Sequence, residues 1–431
     1  MIVIKNIRII DPATVTDITG DIAIEGNALK SIGSEVTEEQ IAVWQKKDGV
    51  TLIDGTGLVA APGLVDTHVH FRDPGLTYKE DILTGAAAAA AGGFTTVVCM
   101  ANTKPVADSE ETIRYIAEKA KEAVIHVYPA AAVTKGFKGK ELTDFPKLLQ
   151  AGAIGFTDDG IPIMDKETVE AAMKAAAELD VPVSLHEEDP ALILKPGVNQ
   201  GKVSEALQYG GAPSESEYLM VERDCELALH TRAKTVIQHI SAAESVDIVR
   251  RYWRRGAKIY GEVTPQHFSA TEELVLEKGS LARVNPPLRT ERDRQALIEG
   301  LKDGTLNIIA TDHAPHSREE KSRDIKEAPS GMIGLETSLA LGITSLVKPG
   351  HLELMELLEK MTVNPAMLYN LGCGRIYEGG QADLVIFDPE KVWTVEDDFA
   401  SKSNNSPFIG MELTGKVRYT ICGGEIVYRE A

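Results

Sequence analysis

Basic residues are the scarce class in this chain. Its 45 lysines and arginines stand against 65 aspartates and glutamates, a formal net charge of -20. That balance disfavours nucleic acid or an anionic membrane as a partner, because both need basic patches. The densest cationic run, RRYWRR at 250–255, reads as a solvated helix face. Cysteine is scarcer still. Cys99, Cys225, Cys373 and Cys422 lie far apart and form no Cys-x-x-Cys pair, which argues against a disulfide framework and a thiolate zinc site and leaves core thiols. No apolar run reaches bilayer length, and the opening MIVIKNIRIIDP alternates like a strand, without a signal peptide's charged start or cleavage site. The expectation is a cytoplasmic protein with no nucleic-acid or membrane partner.

What the chain does have is length and regular alternation. Its 431 residues, 43% hydrophobic and 26% charged, suffice for one barrel-sized domain and something smaller. From residue 63 onward, short β-type runs alternate with helical patterns, the arrangement that builds a parallel sheet with helices outside it. Strands are predicted at 63–71, 94–101, 126–133, 153–159, 182–188, 234–241, 258–267 and 307–314. Eight such units predict an α/β fold, a (β/α)8 TIM-type barrel over residues 61–375, with its active site at the C-terminal ends of the strands. DSEETIRYIAEKAKEA (108–123) has the acidic first turn and apolar spacing of a helix, and the run Ala86 to Ala91 is helical too. Residues 1–60 and 376–431 alternate like strands, with turn signals at DPAT and EGNA, and are expected to join into one small composite β-domain beside the barrel.

The chain has only 10 histidines, yet LVDTHVHFRDPG (64–75) places His68 and His70 one residue apart in a strand. Alternation along a strand points both to the same face, a geometry that suits a metal ion. Other predicted strand ends bring related residues: Asp158 and Asp159 on strand 4, His186 on strand 5, His239 on strand 6 and Asp312 on strand 8. Nitrogen and oxygen ligands without thiolates suit a catalytic divalent metal such as Zn2+, and this many can hold two ions with a bridging carboxylate. The remaining histidines separate from this set. His126 begins strand 3 at the wrong end, and His230 and His351 fall in helical stretches. His267 at the end of strand 7 is ambiguous, His313 faces away from its neighbour Asp312, and His316 sits in the loop above.

VDTHVHFRDPG and ATDHAPHSREEK (310–321) resemble the two signature regions of the dihydroorotase family, in the amidohydrolase superfamily of metal-dependent barrels. CMANTKP (99–105), FTDDG (156–160), VNPPLR (284–289) and GLET (334–337) extend the resemblance over nearly the whole chain. The family's usual MPNT reads Met100-Ala101-Asn102-Thr103 here, and the carboxylated lysine that bridges the metals in many relatives is absent from AIGFTDDG. The resemblance is therefore to the bacterial branch with an aspartate bridge, with Asp159 taken over Asp158.

The resemblance implies reversible conversion of dihydroorotate to N-carbamoyl-L-aspartate in pyrimidine synthesis. It implies two zinc ions, one held by His68, His70 and Asp312 and the other by His186 and His239, with Asp159 bridging and Asp312 also moving the proton. Arg72 has the planar fork that matches a substrate carboxylate, with Asn102 and His316 as further donors and Asn285 at the ring's other amide edge. Residues 315–332 form either a loop closing over the site or an ordinary solvated loop. A homodimer and an association with aspartate transcarbamoylase are the partner expectations beyond the small molecules. The rival readings are another cyclic amidase (hydantoinase, dihydropyrimidinase or allantoinase) and a noncatalytic scaffold of aspartate transcarbamoylase.

Overall fold

The computed structural model describes residues 1–47 and 49–430. The isoleucine-rich start of the chain forms β1 (Ile2–Asp11), β2 (Thr16–Glu25), β3 (Ala28–Ile32), β4 (Thr51–Asp54) and β5 (Val59–Pro62). Asp11 makes the first turn by accepting from the backbone of Ala13 and the hydroxyl of Thr14, and Gly26 supplies the left-handed residue of the next, with φ at +60°. One stretch departs from the strand reading. Glu38–Lys47 is a helix with Glu38 and Glu39 in its first turn. Ile41 and Trp44, three residues apart, pack it onto Val3, Ala23 and Val36.

The barrel strands follow as β6 (Leu64–Val69), β7 (Phe94–Cys99), β8 (His126–Pro129), β9 (Phe156–Thr157), β10 (Val183–Leu185), β11 (Thr235–Ile237), β12 (Ile259–Val263) and β13 (Leu306–Ile309). Each lies within or overlaps its predicted run. Neighbours in sequence pair in parallel from β6 to β8 and from β9 to β13. Two bridges close the ring, Ala131 with Phe156 and Val69 with His313. The strands read as continuous apolar runs because helices cover their outer face while side chains fill the inside.

The helix Ile82–Ala91 shows how the outer layer is held. Asp81 caps it by accepting from the backbone of Leu83 and Thr84, and Ala86, Ala88, Ala89 and Ala90 are buried. Small side chains bring its backbone close to the barrel. Glu110–Ala120, capped by Ser109, occupies the middle of the predicted 108–123.

The chain ends in β14 (Leu384–Thr394), β15 (Glu412–Cys422) and β16 (Glu425–Arg429). These join the first five strands in one sheet, ordered β16-β15-β14-β5-β1-β2-β3, with β4 also on β1. Its core of Ile2, Ile4, Ile7, Ile9, Ile22, Ile24, Leu384, Ile386 and Ile421 is separate from that of the barrel. Each fully buried residue of this kind contributes on the order of 1.5–3 kcal/mol.

Candidate metal centre and substrate cavity

The C-terminal ends of the barrel strands gather the predicted histidines and carboxylates around Asp159. Its Oδ1 lies 3.4 Å from His68 Nε2, 3.6 Å from His186 Nδ1 and 3.5 Å from His239 Nε2, and its Oδ2 lies 3.3 Å from His70 Nε2. Asp312 Oδ1 stands 2.9 Å from His70 Nε2 and 3.5 Å from His68 Nε2. Asp158 is turned away: it accepts from the backbone and hydroxyl of Thr134, and burial pushes its carboxyl up to about 6.

The donors fit a divalent ion. Ligands about 2.1 Å from one ion in a tetrahedron stand roughly 3.4 Å from each other, which is the spacing around Asp159. His68 Nε2 and Asp159 Oδ1 face one another in a fully buried setting, and neither has a hydrogen-bond partner among the described residues. Buried polar atoms are rarely left so.

Three of the four rings are held at the nitrogen opposite the centre. His68 Nδ1 is 2.8 Å from Glu262 Oε1, His70 Nδ1 is 2.9 Å from Asn102 Oδ1, and His186 Nε2 is 3.0 Å from Glu188 Oε2. These acceptors fix ring orientation and tautomer.

The electrostatics favour positive charge here. Burial opposes protonation of His68, but Glu262, Asp159 and Asp312 outweigh it and push the ring well above the ordinary histidine value. Against the same burial, Asp159 and Glu188 raise His186 to about 10. Burial likewise works against ionising Asp159, yet His68, His186 and His239 hold its carboxyl well below the usual range.

Above the carboxylates, Arg72, Asn102, Asn285 and His316 line a cavity of about 180 Å³ together with Ser330 and Gly331. Arg72 adopts a left-handed φ of +62° and donates through Nε to Pro315 O at 3.3 Å. Among the described residues, its two terminal nitrogens have no hydrogen-bond or ion-pair partner. Asn285 Oδ1 is likewise buried and unpartnered, whereas Asn102 Oδ1 is taken by His70. His316 is more constrained than expected of a free donor. Its Nε2–H donates to Ser330 O at 2.9 Å and its Nδ1 accepts from Lys79 Nζ at 3.1 Å. Burial, with Arg72 and Lys79 nearby, lowers the ring to about 2 and keeps it neutral.

The 315–332 segment carries a short helix, Arg318–Lys321, and is pinned to the barrel. Lys321 Nζ donates to the carbonyls of Pro329 and Gly331 at 3.0 and 2.9 Å, Arg283 holds those of Ile325 and Ala328, and Asn405 holds those of Ala314 and Gly331. Gly331 has φ +129°, and a Cβ there would stand 2.9 Å from Ala314 Cβ and 3.0 Å from His316 Nε2.

The other histidines lie elsewhere. The ambiguous His267 braces the turn beside Asn285: its Nε2–H donates to Pro286 O at 2.9 Å, Thr264 bonds its Nδ1, and burial lowers it to about 4. His313 faces away from the centre, its Nδ1 accepting from Gly334 N. His230 is exposed at the end of the helix Glu215–Thr231, and His351 lies in the turn before Leu354–Met361 rather than in a helix. Glu262, Glu188 and Lys79 were not singled out from sequence. A glutamate inside the apolar run KIYGEV was the available signal for Glu262; Glu188 and Lys79 sit in polar surroundings and gave none.

A closed parallel barrel with histidine and aspartate donors at its C-terminal mouth defines a metal-dependent hydrolase of the amidohydrolase class. The chain belongs to the amidohydrolase family, whose model matches residues 59–427. It is 58% identical over 428 residues to the dihydroorotase of Clostridioides difficile (strain 630), covering 99% of this chain and 100% of that protein. To the dihydroorotase of Lactococcus lactis subsp. lactis (strain IL1403) it is 51% identical over 428 residues, with 99% of each covered. Among solved structures, the L-hydantoinase (dihydropyrimidinase) of Arthrobacter aurescens matches with a TM-score of 0.85 at 24% identity, over 100% of this chain and 96% of that one. The dihydropyrimidinase of Brevibacillus agri NCHU1002 matches with 0.84 at 24%, over 99% and 95%. At that identity the likeness establishes the fold.

Proposed function

We infer that this chain is a dihydroorotase, interconverting dihydroorotate and N-carbamoyl-L-aspartate in pyrimidine synthesis. Whole-length identity to dihydroorotases supports the reaction. The single observation that carries the substrate is Arg72, a guanidinium at the cavity wall whose terminal nitrogens have no partner among the described residues. A planar fork of that kind pairs with a carboxylate through two parallel hydrogen bonds. The uncharged rings of hydantoinase substrates give it nothing to bind.

The metals in this reading are two zinc ions, one held by His68, His70 and Asp312, the other by His186 and His239. Asp159, with one oxygen or the other close to all four histidines, would be the carboxylate shared by the two sets. Bound there, divalent zinc supplies a Lewis acid that activates water at neutral pH and polarises the ring carbonyl.

The protein's own groups do the rest. Asp312 takes the proton from the attacking water and returns it to the amide nitrogen as the ring C–N bond breaks, a base that becomes an acid. Ring closure reverses each transfer. Arg72 orients the carboxylate, the unpartnered Asn285 Oδ1 accepts from a ring N–H, and the Asn102 amide donates from the opposite wall. His316, held by Lys79 and Ser330, completes the carboxylate's side of the cavity.

Arg72→Met tests this reading. Loss of the charge-assisted contact, about 2–5 kcal/mol, lowers kcat/KM on dihydroorotate by tens to thousands of fold. Weak activity on dihydrouracil changes little, and bound metal stays at the wild-type level. Equal proportional losses on the two rings would mean that Arg72 supports the architecture and that the carboxylate is read elsewhere.

A further inference from the structure

One buried oxygen serves two histidines on different strands. Glu262 lies on β12, between β11 and β13, and is 1% exposed. Its Oε1 is 2.8 Å from His68 Nδ1 and also accepts the backbone N–H of His239 at 3.0 Å. The two contacts do different things. In the neutral ring that a metal ion requires, the carboxylate holds the proton on Nδ1 and leaves the lone pair on Nε2. That Nε2 is the buried, unpartnered atom 3.4 Å from Asp159 and 3.5 Å from Asp312. At His239 the contact acts on the backbone: the residue has φ +36°, a left-handed conformation that L side chains avoid at a cost of roughly 1–2 kcal/mol. The hydrogen bond from its backbone N–H to Glu262 secures the turn from which His239 Nε2 reaches to 3.5 Å from Asp159.

We propose that Glu262 is the positioning residue that joins the two halves of the metal centre, setting the tautomer of a ligand in one half and the backbone of a ligand in the other. This rests on the reading of His68 and His239 as metal ligands. It adds a property that the ligand set alone lacks: loss of one outer carboxylate weakens both ion sites together, although Glu262 faces neither ion directly. Gln238 cannot substitute for it. The group it turns toward His68 Nδ1, 3.3 Å away, is its amide nitrogen, a donor that cannot accept the Nδ1 proton.

Glu262→Gln keeps the shape and removes the charge. Chelator competition on the purified full chain, with zinc alone as the probe, is expected to show both ions held about 10- to 100-fold more weakly than in the wild type. Excess zinc is expected to restore much of kcat. Thermal unfolding of the metal-stripped variant is expected to match that of the metal-stripped wild type, because the effect lies in ligand positioning. Glu262→Asp, which keeps the charge on a shorter side chain, is measured beside it and is expected to lose less affinity; it carries the test if the glutamine variant does not fold.

Zinc affinity at both sites within about threefold of wild type in these variants overturns the proposal. So does weakening confined to one ion, or a fall in metal-free stability that accounts for the lost affinity. A wild-type chain that takes up no zinc overturns the metal reading itself, an outcome distinct from a metal-binding wild type matched by its Glu262 variants.

Discussion

His68 and His126 stand at opposite ends of the barrel strands, each beside an aspartate, and their surroundings diverge. Nε2 of His126 lies 3.1 Å from Asp383 Oδ2, 3.4 Å from Cys422 Sγ and 3.0 Å from Gln381 Nε2, while the other oxygen of Asp383 accepts from Gly423 N. These groups use one another up, and they tie the start of β8 to the terminal sheet. At the upper end three of the four rings are held from the far side, at Glu262, Asn102 and Glu188, and a nitrogen of every ring faces Asp159. Residue type does not separate a metal centre from a structural cluster. The destination of each ring's hydrogen bonds does.

The contrast can be broken most severely at Asp312. Asp312→Asn keeps the shape and removes the basic oxygen, so kcat in a metal-loaded protein should fall roughly 100- to 10,000-fold with little change in substrate binding. Near-normal single-turnover rates would take the proton transfer away from Asp312. The smallest effect is expected at the lower end. His126→Ala should leave kcat/KM within about twofold while costing about 1–3 kcal/mol of stability, since Asp383 loses a buried partner. Urea unfolding beside a steady-state assay separates the two, and a large loss of turnover without loss of stability would make the lower cluster functional.

Much of this contrast was legible in the sequence because strand alternation is a strict rule. The parity of His68 and His70, the shift of His313 away from Asp312 and the isolation of His126 all follow from counting residues along short apolar runs. The eight barrel strands were legible for a related reason: each is an apolar run between helical patterns. Parity could not choose between Asp158 and Asp159, because β9 is only two residues long and both aspartates lie beyond it. The helix at Glu38–Lys47 stayed hidden because its two packing residues are set among strand-like neighbours.

Glu262 was harder still. It is 194 residues from His68, and their contact exists only once β6 and β12 face each other inside the closed barrel. The same holds for the 315–332 segment, whose fixed position depends on Arg283 and Asn405 reaching its backbone from distant parts of the chain, with its own Lys321 stapling it internally. His316 illustrates the limit for single side chains. Its place at the cavity followed from the motif, but the engagement of both ring nitrogens depends on Lys79 and Ser330.

The central claim is that the upper cluster binds metal ions and the lower one does not. The most direct measurement is metal content per chain in the wild type, His186→Ala and His126→Ala after equilibration with zinc and removal of the excess. The account predicts two ions in the wild type and in His126→Ala, and loss of at least one in His186→Ala, with its affinity falling by more than the roughly 100-fold expected from losing an outer partner. Full metal content in His186→Ala, or loss of an ion in His126→Ala, would contradict it.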